Sequence, residues 1–411
     1  MENNVFQSGA NTANPFFSQF KMVYHLVGEQ ALPAYITAVQ FPCEVQHFLL
    51  TTKTGKTEIA AENIKKTLAA KGINSEIKYI GAEDIAVSVV PLTTALTDIF
   101  DSTNPEHLPA ALDLTGGTKP MSMVGMMLTG KRDYMTSVYL DTKDKKLIDF
   151  THPQENILLH QTLEISEFIS LGGLQLTKAS VSNVSGELLK YIFKNSKFFL
   201  RFQEDFANLA DNKLPANGQS LGERFQQKYT FMLNKLAEYT PDISAWESLW
   251  QEFAAKTTPH AQAEFLGGGW FEHYAFNLVQ NSGKDIRQIR MGVVLSFSDN
   301  PRDAQEFDVV YTDGFSLIIL ECKAGKLKQE FVQKLENLRG QFSGSLGKCA
   351  LVTLSSLFDK NSNKNTISER ITRSRSIAAF SSKSGVNLLP ARCLDFKTGS
   401  IYENPANGNR K

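Results

Sequence analysis

The sequence predicts an α/β protein of three parts: a domain with a doubly wound parallel sheet, a helical connector, and a second domain that contains a sheet. Between residues 20 and 160, short apolar runs alternate with amphipathic segments, which is typical of parallel strands covered by helices. Residues 161–265 carry helical periodicity and little strand signal. Residues 266–398 open with a helical segment and continue through several apolar runs typical of strands.

Composition limits the function. The chain has 411 residues with 43 basic and 43 acidic side chains, so it cannot coat nucleic acid or membranes by bulk positive charge. No apolar run approaches the length of about 18 residues that a membrane span needs. The N-terminus lacks the features of a secretory signal, and the four scattered cysteines lack the spacing of a disulfide framework or a zinc site. We therefore expect a cytoplasmic protein that contacts no membrane.

The periodicity also predicts individual elements. Residues 1–19 are polar and rich in Asn and Ser, which indicates disorder. We expect the strands of the first domain at 22–27, 45–52, 75–80 and 110–114, with a terminal hairpin at 137–140 and 146–150. We expect the main helices at 57–71, 85–100, 121–129, 188–206, 221–239, 244–256 and 270–280.

A glycine turn joins the strand at 110–114 to the next helix. Gly116 and Gly117 permit close backbone approach and positive φ angles, which exposes successive N–H groups as an anion site. The N-terminus of the helix adds partial positive charge, and Thr115, Thr118 and Lys119 add hydroxyl groups and a cation. The turn predicts a phosphate-bearing or nucleotide ligand. The alternative is a tight strand–helix turn with Lys119 in solvent.

Two other loops follow strands at the same expected edge of the sheet, where ligands of open α/β sheets gather. One contains Gly28, Glu29 and Gln30, and the other spans residues 51–57. The second loop is not a P-loop, because Leu50 stands where the first glycine is required. No G-x-G-x-x-G follows the first strand, which disfavours a dinucleotide-binding dehydrogenase.

A hairpin is expected in the last domain, because Asp313-Gly314 lies between two runs of high β propensity. A two-residue turn places Asp308 opposite Ile319. Alternation along the strands then puts four polar residues on one face and apolar residues on the other. The polar set is Glu306, Asp308, Glu321 and Lys323, and the opposite set is Phe307, Leu320 and Cys322.

Converging carboxylates repel one another unless a cation compensates them, and oxygen ligands suit Mn²⁺ or Mg²⁺. A lysine beside such a site can orient water or stabilise charge on a phosphate. This pattern predicts metal-assisted hydrolysis of a phosphodiester, and the alternative is a solvated edge hairpin. Glu272, in the first turn of the expected helix at 270–280, is either a further ligand or a charge that complements the helix dipole. His273 beside it is expected to pack or to lie at the surface.

Residues 321–375 hold eleven basic and five acidic side chains, a local excess that suits a nucleic acid backbone. Within this segment, Arg370, Arg373 and Arg375 are the expected contacts.

Both halves resemble known families. Asp308, twelve residues and then Glu321-Cys322-Lys323 resemble the PD-(D/E)XK restriction-endonuclease-like nucleases. With Gly269-Trp270-Phe271-Glu272, this half resembles the CRISPR ancillary nucleases, in which a CARF sensor domain is fused to such a nuclease. The segments 26–33 and 113–119 resemble the two ligand-binding elements of CARF domains. The resemblance implies a Rossmann-like CARF domain at 20–160, a connector at 161–265 and a PD-(D/E)XK domain at 266–398.

The resemblance also implies a function: a homodimer of type III CRISPR antiviral defence, activated allosterically by a cyclic oligoadenylate, most often cyclic tetra-adenylate. The activated enzyme is expected to cleave single-stranded DNA and RNA with Mn²⁺ or Mg²⁺, and to nick plasmid duplex DNA. Lys323 is then the catalytic lysine, and the activator residues are Gly28, Glu29, Gln30, Thr115, Gly116, Gly117, Thr118 and Lys119. The metal ligands are Asp308, Glu321, Glu272 and Glu306, of which the first three also count as catalytic.

Three other classes of protein fit the sequence less well. HEPN ribonucleases carry Arg-x4-6-His, and none of the seven histidines here has an arginine at that spacing, which excludes them. A nucleotide-sensing regulator with an inactive nuclease-like domain has no chemical need to keep Asp308, Glu321 and Lys323 together. In an ungated restriction or repair nuclease, the glycine turn would be a simple bend, and tight binding of a cyclic oligoadenylate would exclude that class.

Overall fold

The computed structural model describes residues 14–53, 55–81, 88–151, 156–211, 218–282, 286–297, 300–324, 348–353 and 386–390. No helix in these ranges is both long and apolar enough to cross a membrane.

The first sheet has seven strands, β1 (Met22–Leu26), β2 (Gln46–Thr51), β3 (Ser75–Tyr79), β4 (Ala110–Asp113), β5 (Met135–Asp141), β6 (Lys146–Asp149) and β7 (Asn156–Leu158). Their order is β3-β2-β1-β4-β5-β6-β7. The first five pair in parallel, and β6 and β7 add antiparallel edges. The predicted strands lie within two residues of these bounds, so the doubly wound sheet is confirmed.

The helices of the first unit are α1 (Pro15–Ser18), α2 (Ala31–Ala38), α3 (Gly55–Ala70), α4 (Val89–Thr103), α5 (Lys119–Thr129) and α6 (Ile165–Leu171). The first of them corrects the prediction of disorder for residues 14–18. Asn14 caps α1 by accepting a hydrogen bond from the Phe16 N–H, and Phe17 is fully buried. One buried aromatic side chain anchors a segment whose composition is otherwise polar.

The second sheet has six strands, in the order β13-β12-β11-β10-β9-β8. Their bounds are β8 (Leu174–Ser180), β9 (Gln288–Phe297), β10 (Asn300–Thr312), β11 (Leu317–Lys323), β12 (Lys348–Thr353) and β13 (Val386–Pro390). Strand β8 lies inside the range 161–265, where the sequence predicts helices, yet it pairs with β9 of the nuclease-like sheet.

Within the described ranges, six further helices and one π-helical turn follow β8 along the chain. They are α7 (Gly186–Lys194), α8 (Ser196–Ala210), α9 (Leu221–Tyr239), α10 (Ile243–Ala254), α11 (Pro259–Glu264), the π-helical turn (Phe265–Gly269) and α12 (Trp270–Gln280). The predicted helix at 188–206 is divided at Asn195, which caps the end of α7. The predictions for α9 and α12 match residue for residue.

The two sheets share a hydrophobic core. One buried cluster joins residues of the first sheet, such as Leu140 and Leu147, to Val293, Val310 and Ile319 of the second. A second cluster packs α4 and α5 on the other face of the first sheet. A third buries the aromatic side chains of α7–α12 against β9–β12. The two sheets are therefore packed against each other through this buried cluster.

Candidate functional site

The loops that follow β1 and β4 meet at one edge of the first sheet. A Cβ atom at Gly28 would overlap the Gly116 carbonyl oxygen, and one at Gly116 would overlap the Leu26 carbonyl oxygen. Only glycine permits this approach of the two backbones. The two predicted ligand-binding loops are thus brought together by backbone contact, and Glu29 and Gln30 are exposed beside them.

The second loop runs into the N-terminus of α5. The Thr118 hydroxyl caps the helix by accepting from the Met121 N–H at 3.4 Å, and Lys119 is exposed at the first helical position. Pro120 has no N–H and the Met121 N–H is used by this cap, so the helix dipole and the Lys119 charge are what make this end attractive to anions. The loop after β2 reaches the same edge, because the Lys56 ammonium lies 3.5 Å from the Glu29 carboxylate. Within this loop, the Thr52 and Thr57 hydroxyl groups lie 2.7 Å apart.

A buried polar network lies beside the loop between β4 and α5, and sequence reasoning did not identify it. The Asp113 carboxylate, fully buried, accepts from the Thr115 N–H at 3.0 Å and the Thr115 hydroxyl at 2.5 Å. His25 Nδ1 lies 3.1 Å from the other carboxylate oxygen, and His25 Nε2 lies 3.1 Å from His47 Nδ1. The Leu140 N–H donates to the Thr115 hydroxyl oxygen at 2.8 Å. Both functions of this hydroxyl are therefore used inside the protein, to hold the loop.

The pKa of His47 is held well below its ordinary value by burial and then by the neighbouring His25. The folded protein keeps this imidazole neutral, whereas the unfolded chain takes up a proton below about pH 6.5. Because only the unfolded chain gains this proton, the free energy of unfolding decreases as the pH falls below about 6.5. We expect the free energy of unfolding to drop by roughly 1 kcal/mol between pH 7.5 and 5.5 from this group alone.

Urea unfolding at both pH values checks this expectation. The drop in the free energy of unfolding between the two pH values should be smaller in His47→Gln than in the wild type, by roughly 1 kcal/mol. Equal drops in the two proteins would contradict the assignment.

In the second unit, the register of the β10–β11 hairpin corrects the predicted one. Thr312 pairs with Leu317 and Val310 with Ile319, so four residues connect the strands and Asp308 does not face Ile319. The Asp313 carboxylate accepts from the Phe315 and Ser316 N–H groups and lengthens the turn. The shift is two residues, which by itself moves no side chain to the opposite face of the sheet.

Alternation nevertheless fails at one predicted position. Leu320 and Cys322 belong to the core under α12, as expected. Phe307 instead belongs to the core shared with the first sheet, whereas Val309 lies with Leu320. Strict alternation therefore does not extend through Asp308, the residue between them.

The predicted catalytic residues of the hairpin do come together. The Lys323 ammonium lies 2.9 Å from Glu321 Oε1 and 3.3 Å from Asp308 Oδ2. The Cys322 N–H donates to the same Asp308 oxygen at 2.6 Å. Glu321 is 3% and Asp308 8% exposed, so water screens neither carboxylate well.

The electrostatics of this cluster favour a cation. Burial and then the negative charge of Glu321 raise the pKa of Asp308 to about 6, although Lys323 and the Cys322 N–H oppose the shift. Burial opposes the charge of Lys323 too, but the two carboxylates outweigh it and raise the pKa of its ammonium. Burial and the charge of Asp308 raise the pKa of Glu272, on α12, well above its ordinary value.

The predicted metal ligands differ in how deeply they are buried. Glu272 and Glu306 line one cleft with Lys323, but Glu306 is exposed. Among the described residues, no three His, Cys, Asp or Glu side chains form a group ready to hold a metal ion. The Lys323 ammonium contacts both hairpin carboxylates and offsets part of their negative charge. The donor set itself, which consists of carboxylate oxygens, suits a hard divalent cation.

This cleft has a volume of about 930 Å³. One wall carries Glu272 and Lys323, and the other is built by α8 and α11 of the predicted connector through Gln203 and His260. His273 also lines it, but its Nδ1 lies 2.8 Å from the Ser182 hydroxyl, and burial lowers its pKa to about 4. His273 is thus a packing residue, as expected.

The glycines of the π-helical turn allow α8 to pack directly against it. A Cβ at Gly267 would lie 2.9 Å from the Ala207 backbone nitrogen, and Gly268 has a φ of 137°. The sequence signal for this feature was the triple glycine itself, which alone does not indicate a π turn. The predicted basic contacts Arg370, Arg373 and Arg375 lie outside the described residues.

Comparisons with known proteins agree across both units. A family model described as the Card1 CARF domain matches residues 22–168, and one described as the Card1-like endonuclease domain matches residues 260–377. Together they cover more than half of the chain. No protein in the curated set matches.

Two solved structures resemble the whole chain. Can2 from Sulfobacillus thermosulfidooxidans, in complex with cyclic tetra-adenylate, has a TM-score of 0.60 at 15% identity, over 89% of this chain and 94% of that one. Protein VC1899 from Vibrio cholerae has a TM-score of 0.60 at 11% identity, over 93% and 99%. At such identities the likeness shows a shared fold.

Proposed function

Because this chain belongs to the Card1-like family of CARF-domain CRISPR endonucleases, we propose that cyclic tetra-adenylate switches on its nuclease in type III defence in the cytoplasm. The observation that supports this proposal is that one packed chain contains two separate polar features. Two glycine loops meet at one edge of the first sheet, and a buried cluster of carboxylates and a lysine lies on the second sheet.

The activator site suits a phosphate-rich ring. The Gly116–Gly117 turn leads into the positive end of the α5 helix dipole, and Lys119 adds an exposed positive charge. Glu29 pairs with Lys56 at 3.5 Å on the surface, so this loop brings one acidic side chain with its own counter-charge. The choice of the four-adenosine ring is supported by Can2, whose structure contains that ligand.

At the nuclease site, Asp308, Glu321 and Glu272 would hold Mn²⁺ or Mg²⁺, with Glu306 at the exposed rim. The ion, when bound, would lower the pKa of a water molecule and neutralise charge on the phosphate. Lys323 keeps the two hairpin carboxylates together and carries the positive charge that stabilises a phosphate during attack. Burial strengthens each of these interactions, because the local dielectric constant is low.

The proposed substrates are single-stranded DNA and RNA. The cleft of about 930 Å³ has polar walls on both sides of Lys323, which suits a flexible strand. Nicking of plasmid duplex DNA is the further activity to test. A sugar–phosphate backbone needs no duplex readout, and this fits the absence of a helix-turn-helix signature from the sequence.

We also propose a homodimer that pairs through the α4–α5 face of the sensor. Five large apolar side chains are exposed on these two adjacent helices: Val89, Val90, Met123, Met126 and Met127. An exposed apolar patch of this kind marks an interaction surface. Because α5 begins at the activator loop, the same face would place two such loops side by side.

Met126→Glu is therefore expected to convert the dimer to monomers at micromolar concentration and to weaken activator binding at least about tenfold, because a charge would be buried at the interface. Analytical ultracentrifugation and titration with labelled cyclic tetra-adenylate measure both quantities. Ile59→Glu is the control, since Ile59 is 61% exposed on α3, on the other side of the sheet. A dimeric Met126→Glu protein would contradict this interface.

The function is tested by equilibrium binding of cyclic tri-, tetra- and hexa-adenylate, combined with cleavage of labelled DNA and RNA in Mn²⁺. We expect tightest binding of the tetra-adenylate and cleavage only in its presence. Binding without cleavage under any ring would favour a sensor with an inactive nuclease-like domain. Cleavage indifferent to every ring would favour an ungated nuclease.

A further inference from the structure

We propose that Lys145, a residue of the sensor domain, is a positioning residue of the nuclease. It holds the turn of the hairpin that carries Asp308, Glu321 and Lys323, and β5 connects it to the activator loop. The inference rests on the proposed function of both sites, and adds the physical link through which one regulates the other.

The first observation is a contact between two turns. Lys145, in the turn between β5 and β6, places its ammonium 3.1 Å from Asp313 Oδ2, in the turn between β10 and β11. The same ammonium lies 5.0 Å from the centre of the Phe315 ring. Lys145 adopts a φ of 53°, an unfavourable backbone angle for a side chain with a Cβ, so the contact is made at a conformational cost.

The turn between β10 and β11 also contacts Thr162 and Leu163 through its backbone, and both residues lie within the range that matches the CARF family model. Gly314 has a φ of 89°, and a Cβ there would lie 2.5 Å from the Thr162 Cβ. Its carbonyl oxygen accepts from the Leu163 N–H at 2.8 Å. The side-chain link and the backbone link both fix the tip of the hairpin against the sensor.

The charge on Asp313 is set by the same contacts. Burial on its own raises the pKa of this carboxyl, but the Phe315 and Ser316 N–H groups and Lys145 together outweigh burial and lower the pKa. The carboxylate is therefore ionised at neutral pH and available to the Lys145 ammonium.

At the other end, β5 touches the activator loop. The Leu140 N–H donates to the Thr115 hydroxyl oxygen at 2.8 Å, and the same hydroxyl donates to Asp113. Leu140 lies five residues before Lys145 in the β5–β6 hairpin. A displacement of Thr115 would therefore act on β5, the strand that leads into the turn from which Lys145 contacts Asp313. Paired strands transmit such a displacement because their ladder holds them in register.

The hairpin completes the path. Asp308 lies five residues before Asp313 on β10, and Glu321 lies five residues after Ser316 on β11. Residues 309–312 pair with residues 317–320, and Asp308 and Glu321 each lie one residue beyond this paired stretch, about 16 Å along the strands from the turn. A movement of the turn therefore reaches the two carboxylates and Lys323 together.

The test compares full-length Lys145→Met, Asp313→Asn and the double variant with the wild type. Methionine keeps the length of the side chain, and asparagine keeps the oxygen that accepts from Phe315 and Ser316. We expect each single variant to lower the cleavage rate at saturating cyclic tetra-adenylate by about five- to tenfold, with the activator dissociation constant within about twofold of the wild-type value. The double variant should match the singles, because both remove one interaction.

Two controls separate positioning from folding. Lys143→Met removes a charge from the same turn, and the side chain of Lys143 is exposed; it should behave as the wild type. Lys145→Arg keeps the charge and should restore most of the activated rate. A wild type that ignores the activator would overturn the proposed function itself. A responsive wild type with equally responsive Lys145→Met and Asp313→Asn, or a double variant whose losses multiply, would overturn this inference alone.

Discussion

Replacing Glu321 with glutamine is expected to lower the rate of activated cleavage by at least about a thousandfold. The substitution removes one buried negative charge from the proposed metal site. Glu321 is 3% exposed and contacts Lys323 directly. The amide keeps the shape of the side chain but loses the charge that would attract a cation and orient the lysine. Cleavage of labelled single-stranded DNA in Mn²⁺, with saturating cyclic tetra-adenylate, measures the effect.

The matched control is Glu252→Gln, which removes an exposed carboxylate that pairs with Lys256 on α10. Its rate should equal that of the wild type, because surface pairs contribute little. Glu321→Gln should bind the activator normally, since the sensor edge is a separate site. A rate within about tenfold of wild type in Glu321→Gln would contradict the assignment of this cluster as the catalytic centre.

The second large effect is expected from Gly28→Ala. The added Cβ would overlap the Gly116 carbonyl oxygen, so two backbones that form the activator edge must separate. We expect activator affinity to fall at least about a hundredfold, equal to about 2.7 kcal/mol of binding free energy. Titration of the full-length protein with labelled cyclic tetra-adenylate gives the dissociation constant.

Gly186→Ala serves as its control, because a Cβ at Gly186 meets nothing within 4 Å. This variant should bind as the wild type does and should be no less stable. Normal activator affinity in a folded Gly28→Ala protein would show that the activator does not depend on the meeting of these two loops.

The strands of the sensor sheet could be predicted well because they are short, buried and separated by amphipathic helices. Each of these elements has a pattern of apolar residues that is visible within its own segment. The glycine turn was predictable for the same reason. The Asp113–His25–His47 network was not, since its members are far apart in sequence and each is unremarkable alone. Only the parallel order β2-β1-β4 brings their side chains together.

The catalytic hairpin shows what a local rule can miss. Asp313-Gly314 favours a two-residue turn, but Gly314 packs against Thr162 of the sensor and Asp313 binds Lys145, so the turn is shaped by long-range contacts. The resulting shift is two residues, and the predicted convergence of Asp308, Glu321 and Lys323 survives because side chains alternate with a period of two. The same contacts are the ones that we infer to couple the two domains.

The most direct test of the central claim is the initial rate of single-stranded DNA cleavage by the wild-type protein in Mn²⁺, measured as cyclic tetra-adenylate is titrated from zero to saturation. The proposed function predicts a rate near background without activator and a saturable rise whose midpoint matches the measured activator dissociation constant. A rate that is high at zero activator and flat across the titration would contradict a gated nuclease.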